Sequence, residues 1–268
     1  MTPACLTIAS SDSGGGAGIQ ADLKAFAAAG CHGMSAIVAL TAQNTAGVTA
    51  IQELPPEFVT AQLKAVFGDL GVDAAKTGML FSRTVIETVA AFLADHAVPL
   101  VVDPVMVASS GARLLEENAI EALIARLMPL ATVVTPNLAE AEVLAETTGS
   151  KAELAERIHA RGAKAVVVTG GHGEPVEHFF DGETHAEIPV ARHDRAATHG
   201  AGCTHSAALC AALAKGESLR EAVETAARVA GAAVANGLAD LGAGEGPVDV
   251  FNLKEVREHD RVHALDRR

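Results

Sequence analysis

Short β-branched or apolar runs, each followed by a longer stretch with helical spacing, recur over the first two thirds of the chain. The runs fall at residues 6–9, 35–40, 74–77, 100–103, 132–135 and 166–169. Helical patterns lie between or beside them at 17–29, 56–70, 82–97, 116–128, 138–146 and 151–161. A strand with one face in water alternates apolar and polar side chains, so runs without alternation belong to strands covered on both faces. Strands of that kind joined by helices pair in parallel, because a parallel partner needs a crossover connection. The pattern predicts an α/β fold, a mostly parallel central sheet with helices on both faces.

The rhythm then changes. Residues 176–190 carry Asp181-Gly182 between two strand-like arms, which predicts a hairpin with a tight turn. A glycine-rich stretch leads into an alanine-rich helix from Thr204 to about residue 214, stopped by Lys215-Gly216. Ser218-Leu219-Arg220-Glu221 is a capping box opening a further helix to about residue 236. With no linker-like composition and no repeat, residues 1–268 are expected to form one domain, with a charged tail at 255–268 that frays.

Composition narrows the function. Trp and Tyr are absent and Phe numbers 8, so aliphatic side chains and alanine must fill the core. A formal net charge of −13 excludes a nucleic-acid or anionic-membrane partner, since both need a basic face. An anionic substrate would have to be held locally, by backbone amides, a few cations and a metal ion. The four cysteines form no C-x-x-C pair, the N-terminus lacks a signal-peptide n-region, and no apolar run reaches membrane-spanning length. These features predict a cytoplasmic protein. The 11 histidines show no zinc-ligand spacing.

In open parallel sheets ligands bind at the carboxyl ends of the strands. Polar and glycine-rich residues fall there: Ser11-Asp12-Ser13-Gly14-Gly15-Gly16-Ala17-Gly18 after the first run, Gln43 after the second, Gly78-Met79 after the third and Asp103 after the fourth. The first loop misses both the P-loop ending and the dinucleotide fingerprint, since Ile19-Gln20 follow Gly18. It reads as a substrate-side loop, with Asp22 available to a ligand. Asp103 closes a hydrophobic strand on a carboxylate, which predicts that it faces the cleft beside a cation or donor. Asn137 and Glu140 supply hard oxygen ligands suited to Mg²⁺ held partly through water, or else an ordinary helix cap.

Thr198-His199-Gly200-Ala201-Gly202-Cys203-Thr204 places two glycines and a cysteine before a helix. Converging N–H groups and the helix dipole make this turn an anion cradle. The same field favours a thiolate at Cys203. His199 and His205 flank the cysteine, so a Cys/His acyl-transfer enzyme is an alternative, although helical geometry turns His205 away. Cys210, seven residues on, is expected to pack in the core.

Taken together these residues resemble the hydroxymethylpyrimidine/phosphomethylpyrimidine kinases of thiamine biosynthesis, within the ribokinase-like superfamily. The resemblance runs from Leu6 to about Val250. It includes the 11–22 loop, Ala42-Gln43-Asn44-Thr45, Lys76-Thr77-Gly78-Met79, Asp103-Pro104-Val105-Met106, Thr135-Pro136-Asn137 through Glu140, Gly170-Gly171-His172, the Cys203 loop and Gly244-Glu245-Gly246-Pro247. It implies a ribokinase-like three-layer sandwich and a cytoplasmic homodimer. The implied reaction is ATP- and Mg²⁺-dependent phosphorylation of 4-amino-5-hydroxymethyl-2-methylpyrimidine, then of its monophosphate to the diphosphate. By resemblance the pyrimidine lies among Ala17, Asp22, Gln43, Met79, Val105 and Cys203. Asp103 and Glu140 would hold Mg²⁺, and Asn137, Thr169, Gly171 and Thr198 the ATP phosphates. Cys203 would take the hydroxyl proton while the amides of Gly200, Ala201, Gly202 and Cys203 steady the phosphoryl group. Ser10, Ala201, Ser109 and Thr169 depart from the residues frequent in the family. Lysine is the frequent residue at the last two, so two cations are missing. The alternatives are a pyridoxal kinase, an enzyme acting on both rings, and a non-catalytic binder of thiamine precursors.

Overall fold

The computed structural model describes residues 2–107, 114–170, 175–191, 193 and 197–253. Their backbone forms one sheet of nine strands in the order β3-β2-β1-β4-β5-β6-β7-β8-β9. The strands are β1 (Ala4–Asp12), β2 (His32–Asn44), β3 (Gly47–Glu53), β4 (Ala74–Thr77), β5 (Leu100–Val102), β6 (Val133–Val134), β7 (Val166–Val168), β8 (Val176–Phe180) and β9 (His185–Pro189). From β2 to β7 the pairing is parallel, and β3, β8 and β9 add antiparallel edges. All six apolar runs are strands, and the 176–190 hairpin forms as β8–β9.

Two cores explain why the runs do not alternate. On one face Leu6, Ile8, Val38, Val102, Val134 and Val168 pack against α2 (Pro56–Asp69), α3 (Arg83–Asp95), α5 (Leu138–Ala145) and α6 (Lys151–Ala160). On the other, Cys5, Ala74, Val101, Val133 and Val167 meet α1 (Gly18–Ala28), α7 (Ala201–Ala214) and α8 (Leu219–Ala235). Small side chains let α7 lie close to the sheet, and it is the alanine-rich helix. Cys210 is fully buried in this second core, as expected.

Three local features depart from expectation. The β3 strand goes unpredicted because it is an edge strand with no fully buried residue, so it carries no apolar run. The helix expected over 116–128 is α4 (Glu117–Ala122), which widens to a π turn at Leu123–Leu127 and ends in a 3-10 turn at Met128–Leu130. Pro129 is the cause: it lacks an N–H and its ring crowds the preceding turn. Finally, α7 begins at Ala201 rather than Thr204, because Gly200 adopts φ +83° and turns the chain into the helix early. The tail at 255–268 lies outside the described residues.

Candidate active site

The carboxyl ends of β1, β4, β5, β6 and β7 open into one cleft of about 180 Å³. The chain reverses its winding between β1 and β4, the position at which an open parallel sheet leaves a crevice. At the end of β1 the register against β2 slips between Ala9 and Ser11. Such a bulge bends the strand and re-aims its last side chains. Ser10 sits at the slip, lines the cleft and donates its hydroxyl to the Met79 carbonyl at 3.0 Å.

The next residue but one, Asp12, shapes the loop at 11–18. Its carboxylate accepts from the N–H groups of Gly14 (2.8 Å), Gly16 (3.0 Å) and Ala17 (2.9 Å), and lies 3.1 Å from Nε2 of His199. Burial works against the charge, but His199 and these amides hold the Asp12 carboxyl below its usual range. Ala17 thereby lines the cleft. Across from it the Gln43 carboxamide is held through Oε1, 3.0 Å from the Thr41 hydroxyl, and Ser13 donates to the Gln43 carbonyl at 2.7 Å. Gln43, Met79 and Val105 all reach the cleft.

Asp22 does not. It is fully buried and outside the cleft lining, with Lys76 Nζ at 2.9 and 3.0 Å from its two oxygens and the Thr7 hydroxyl at 2.6 Å. Asp22 is therefore placed behind the cleft, with its oxygens taken up by Lys76 and Thr7. Its first call is on a buried lysine 54 positions away that the chain order does not reveal. Lys76 also lies 3.7 Å from Asp103 Oδ2. Burial alone would strip its proton, but Asp22, Cys203 and Asp103 more than reverse that, so Lys76 stays charged.

The cradle lies opposite. The Ala201 N–H donates to the Thr198 carbonyl at 3.0 Å and the Thr204 N–H to Gly200 at 2.9 Å. The N–H groups of Gly202 and Cys203 lie between them at the positive end of α7 and take no protein acceptor among the described residues. Residues 198–203 all line the cleft. Cys203 is partly exposed there, but its thiol does not favour the thiolate. Packing pushes the thiol up to about 12 and Asp22 and Asp103 add to the rise, against Lys76 and the Gly18 backbone. The expectation from the helix field alone is corrected: desolvation outweighs the dipole. His205 points away into the core, 2.9 Å from Glu177 Oε2. No acyl-transfer dyad forms with it.

Asn137 and Glu140 are both a cap and part of the cleft. Asn137 Oδ1 accepts from the Glu140 N–H, and Glu140 Oε2 from the Asn137 N–H, each at 3.0 Å. Glu140 Oε1 accepts from the Met106 N–H at 3.2 Å, which locks the carboxylate facing the cleft. Burial and the neighbouring Asp103 push the Glu140 carboxyl up to about 8. Asp103 accepts from the Ser206 hydroxyl at 2.8 Å. Two carboxylates whose charges oppose each other in a partly dry cleft suit a hard divalent cation that keeps several waters. Among the described residues no cluster of three or more His, Cys, Asp or Glu gathers, so any such ion would complete its shell with water and substrate oxygens.

Of the residues expected at a site, the cleft brings together Ala17, Gln43, Met79, Asp103, Val105, Asn137, Glu140, Thr169, Thr198, Gly200, Ala201, Gly202 and Cys203. Gly171 and Ser109 lie outside the described residues. Asp12 and His199 also line the cleft, and Lys76 lies fully buried behind it. A lysine inside a strand covered on both faces was a legible signal, because a buried cation requires a partner. Asp12 two residues ahead of a glycine run is likewise the pattern of a side chain that caps its own loop.

The model of the family described as phosphomethylpyrimidine kinase matches residues 12–249. The hydroxymethylpyrimidine/phosphomethylpyrimidine kinase of Rhizobium meliloti is 50% identical over 261 residues, covering 94% of this chain and 98% of that protein. The thiamine biosynthesis bifunctional protein ThiED of Geobacter sulfurreducens is 47% identical over 263 residues, covering 94% of this chain and 53% of its own length. Among solved structures, an ADP complex of Bacillus subtilis pyridoxal kinase superposes with a TM-score of 0.87 at 38% identity, covering 95% of this chain and 99% of that one.

Proposed function

The chain belongs to the phosphomethylpyrimidine kinase family, and from that premise we propose how its own residues carry the reaction. It is an ATP-dependent kinase of thiamine biosynthesis. It phosphorylates 4-amino-5-hydroxymethyl-2-methylpyrimidine and then that product's phosphate. An enzyme of this family replaces the idea of a mere precursor binder.

The observation that carries the site assignment is the meeting of a free-amide helix terminus with the acidic pair of Asp103 and Glu140 across one cleft. The pyrimidine lies among Ala17, Gln43, Met79 and Val105, with the Gln43 carboxamide offering donor and acceptor to the ring edge. The triphosphate runs past Asn137, Thr169 and Thr198 toward residues 200–203. The hydroxyl oxygen bonds to the γ-phosphorus while the bond from that phosphorus to ADP breaks. The amides of Gly202 and Cys203 hold the oxygens on which charge is spread. Cys203 accepts the hydroxyl proton when its thiol has ionised. Because the transition state is loose, that proton departs late.

Asp103 and Glu140 would hold Mg²⁺, which when bound neutralises charge on the phosphate oxygens. The protein acts in the cytoplasm as a homodimer in this proposal. The test is incubation with Mg·ATP and either the pyrimidine alcohol or pyridoxal, following mono- and diphosphate products. Pyrimidine diphosphate is expected. Pyridoxal phosphate as sole product would transfer the assignment to the pyridoxal kinases that the fold also resembles.

A further inference from the structure

The loop at 11–18 and the cradle at 198–203 are joined by one side-chain contact. Nε2 of His199 lies 3.1 Å from Oδ2 of Asp12, with Asp12 3% and His199 8% exposed. Asp12 is bound into its own loop by the amides of Gly14, Gly16 and Ala17. His199 is bound into the cradle, one residue ahead of Gly200. Its N–H donates to the Gly246 carbonyl at 3.2 Å and its carbonyl accepts from the Val248 N–H at 3.1 Å.

Around that contact the two loops have no slack. A methyl group on Gly16 would sit 2.3 Å from the His199 ring, and one on Gly200 would sit 1.9 Å from the Gly16 carbonyl oxygen. The backbones therefore stand too close to admit a side chain at either glycine, which fixes the spacing of ring loop and cradle on this side of the cleft.

We propose that His199 is a positioning residue whose contact with Asp12 sets this gap to suit the short hydroxymethyl arm, and so sets the relative rates of the two phosphorylations. The proposal rests on the kinase assignment above. The two acceptors share a ring and differ by one phosphate. In the first step the attacking oxygen is on the methylene carbon, and in the second it is on the phosphate beyond it. A ring held at one distance from the cradle cannot align both oxygens equally. A spacing held fixed in this way suits one arm length, the shorter, and loosening it removes that advantage.

The experiment measures single turnover of the full chain with Mg·ATP and each acceptor separately. His199→Ala is expected to slow phosphorylation of the alcohol by roughly ten- to a hundredfold, the scale of an ångström of misalignment, and that of the monophosphate distinctly less. His199→Gln, whose amide nitrogen reaches toward Asp12, retains most of the original ratio. Asp12→Asn removes the charge from the other side of the contact and shifts the ratio the same way, which keeps the test open should Ala at 199 fail to fold. Equal slowing of both steps, or an unchanged ratio in the soluble variants, overturns the proposal. Wild-type protein that phosphorylates neither acceptor overturns the kinase assignment, and this proposal with it.

Discussion

Lys76 and Asp22 form an ion pair at 2.9 Å in which neither side chain has any exposed surface. The pair lies beneath the cleft and joins β4 to α1. Removing one partner leaves a bare charge in the core. Lys76→Met or Asp22→Leu alone should destabilise the fold by about 3–5 kcal/mol, whereas the double replacement should recover much of that loss. Denaturant unfolding of the three variants checks this. Single variants within about 1 kcal/mol of wild type would show that the pair carries little of the fold's stability.

Gly200 and Gly202 stand two residues apart and should respond in opposite ways. Gly200 has φ +83° and no room for a methyl group, while a methyl group on Gly202 meets nothing within 4 Å. Gly200→Ala should lower the melting temperature and abolish turnover. Gly202→Ala, inside α7, should leave the melting temperature unchanged or slightly raised, as alanine favours helix. Equal losses in both would mean that the helix position at 202 tolerates a side chain as poorly as the turn at 200 does.

Glu140 links pH to metal binding. Its carboxyl is raised from an ordinary 4.5 to about 8 by burial and Asp103. The folded state thus keeps a proton that the unfolded state has released. The associated stability is full below about pH 4.5 and is lost as pH climbs through about 8, a few kcal/mol in all. A cation favours the carboxylate, so Mg²⁺ should raise the melting temperature more at pH 8.5 than at pH 6. Glu140→Gln should flatten that difference. A wild-type Mg²⁺ effect independent of pH would remove Glu140 from the metal's shell.

Cys203 is the partly exposed cysteine, while Cys5, Cys31 and Cys210 are buried. Its thiol is pushed up to about 12. Alkylation by iodoacetamide should be slow at neutral pH and rise about tenfold per pH unit into the alkaline range, since the thiolate is the reactive form. Cys203→Ala should slow the first phosphorylation by roughly 10²-fold or more while leaving ATP binding in place. Unchanged turnover would free Cys203 from any proton-transfer role.

The parallel strands were legible because both of their faces are covered, so their runs do not alternate apolar with polar residues, even where Thr7 and Lys76 are buried inside them. The same logic hid β3, which pairs along one edge only and mixes Thr49, Gln52 and Glu53 with Gly47, Val48, Ala50 and Ile51. At the site, backbone-built features could be read in order along the chain: the turn at Gly200, the Asn137 cap, the carboxylate ending β5. The Asp22–Lys76 pair is not legible in the sequence, because a carboxylate in the first turns of a helix looks the same whether it faces a ligand or a buried lysine. Only the sheet order, which sets β4 beside β1, makes that choice. The Cys203 thiol was misjudged for a related reason. A helix dipole is implied by sequence, whereas desolvation depends on neighbours drawn from three other elements.

The contact of Gly16 with Gly200 recurs further on, where a methyl group on Gly244 would lie 1.9 Å from the Thr45 carbonyl oxygen. Loops from the two ends of the chain, near residues 16 and 45 and near residues 200 and 244, are therefore packed backbone to backbone, the Gly16–Gly200 approach at the cleft itself. During synthesis the first of these leaves the ribosome long before the last. Substrate binding cannot complete the site on the early chain, because the Thr198–Cys203 side of the cleft is not yet made. Turnover should begin only when nearly the whole chain has been made, and a chaperone that delays collapse of the first half would lose nothing by waiting.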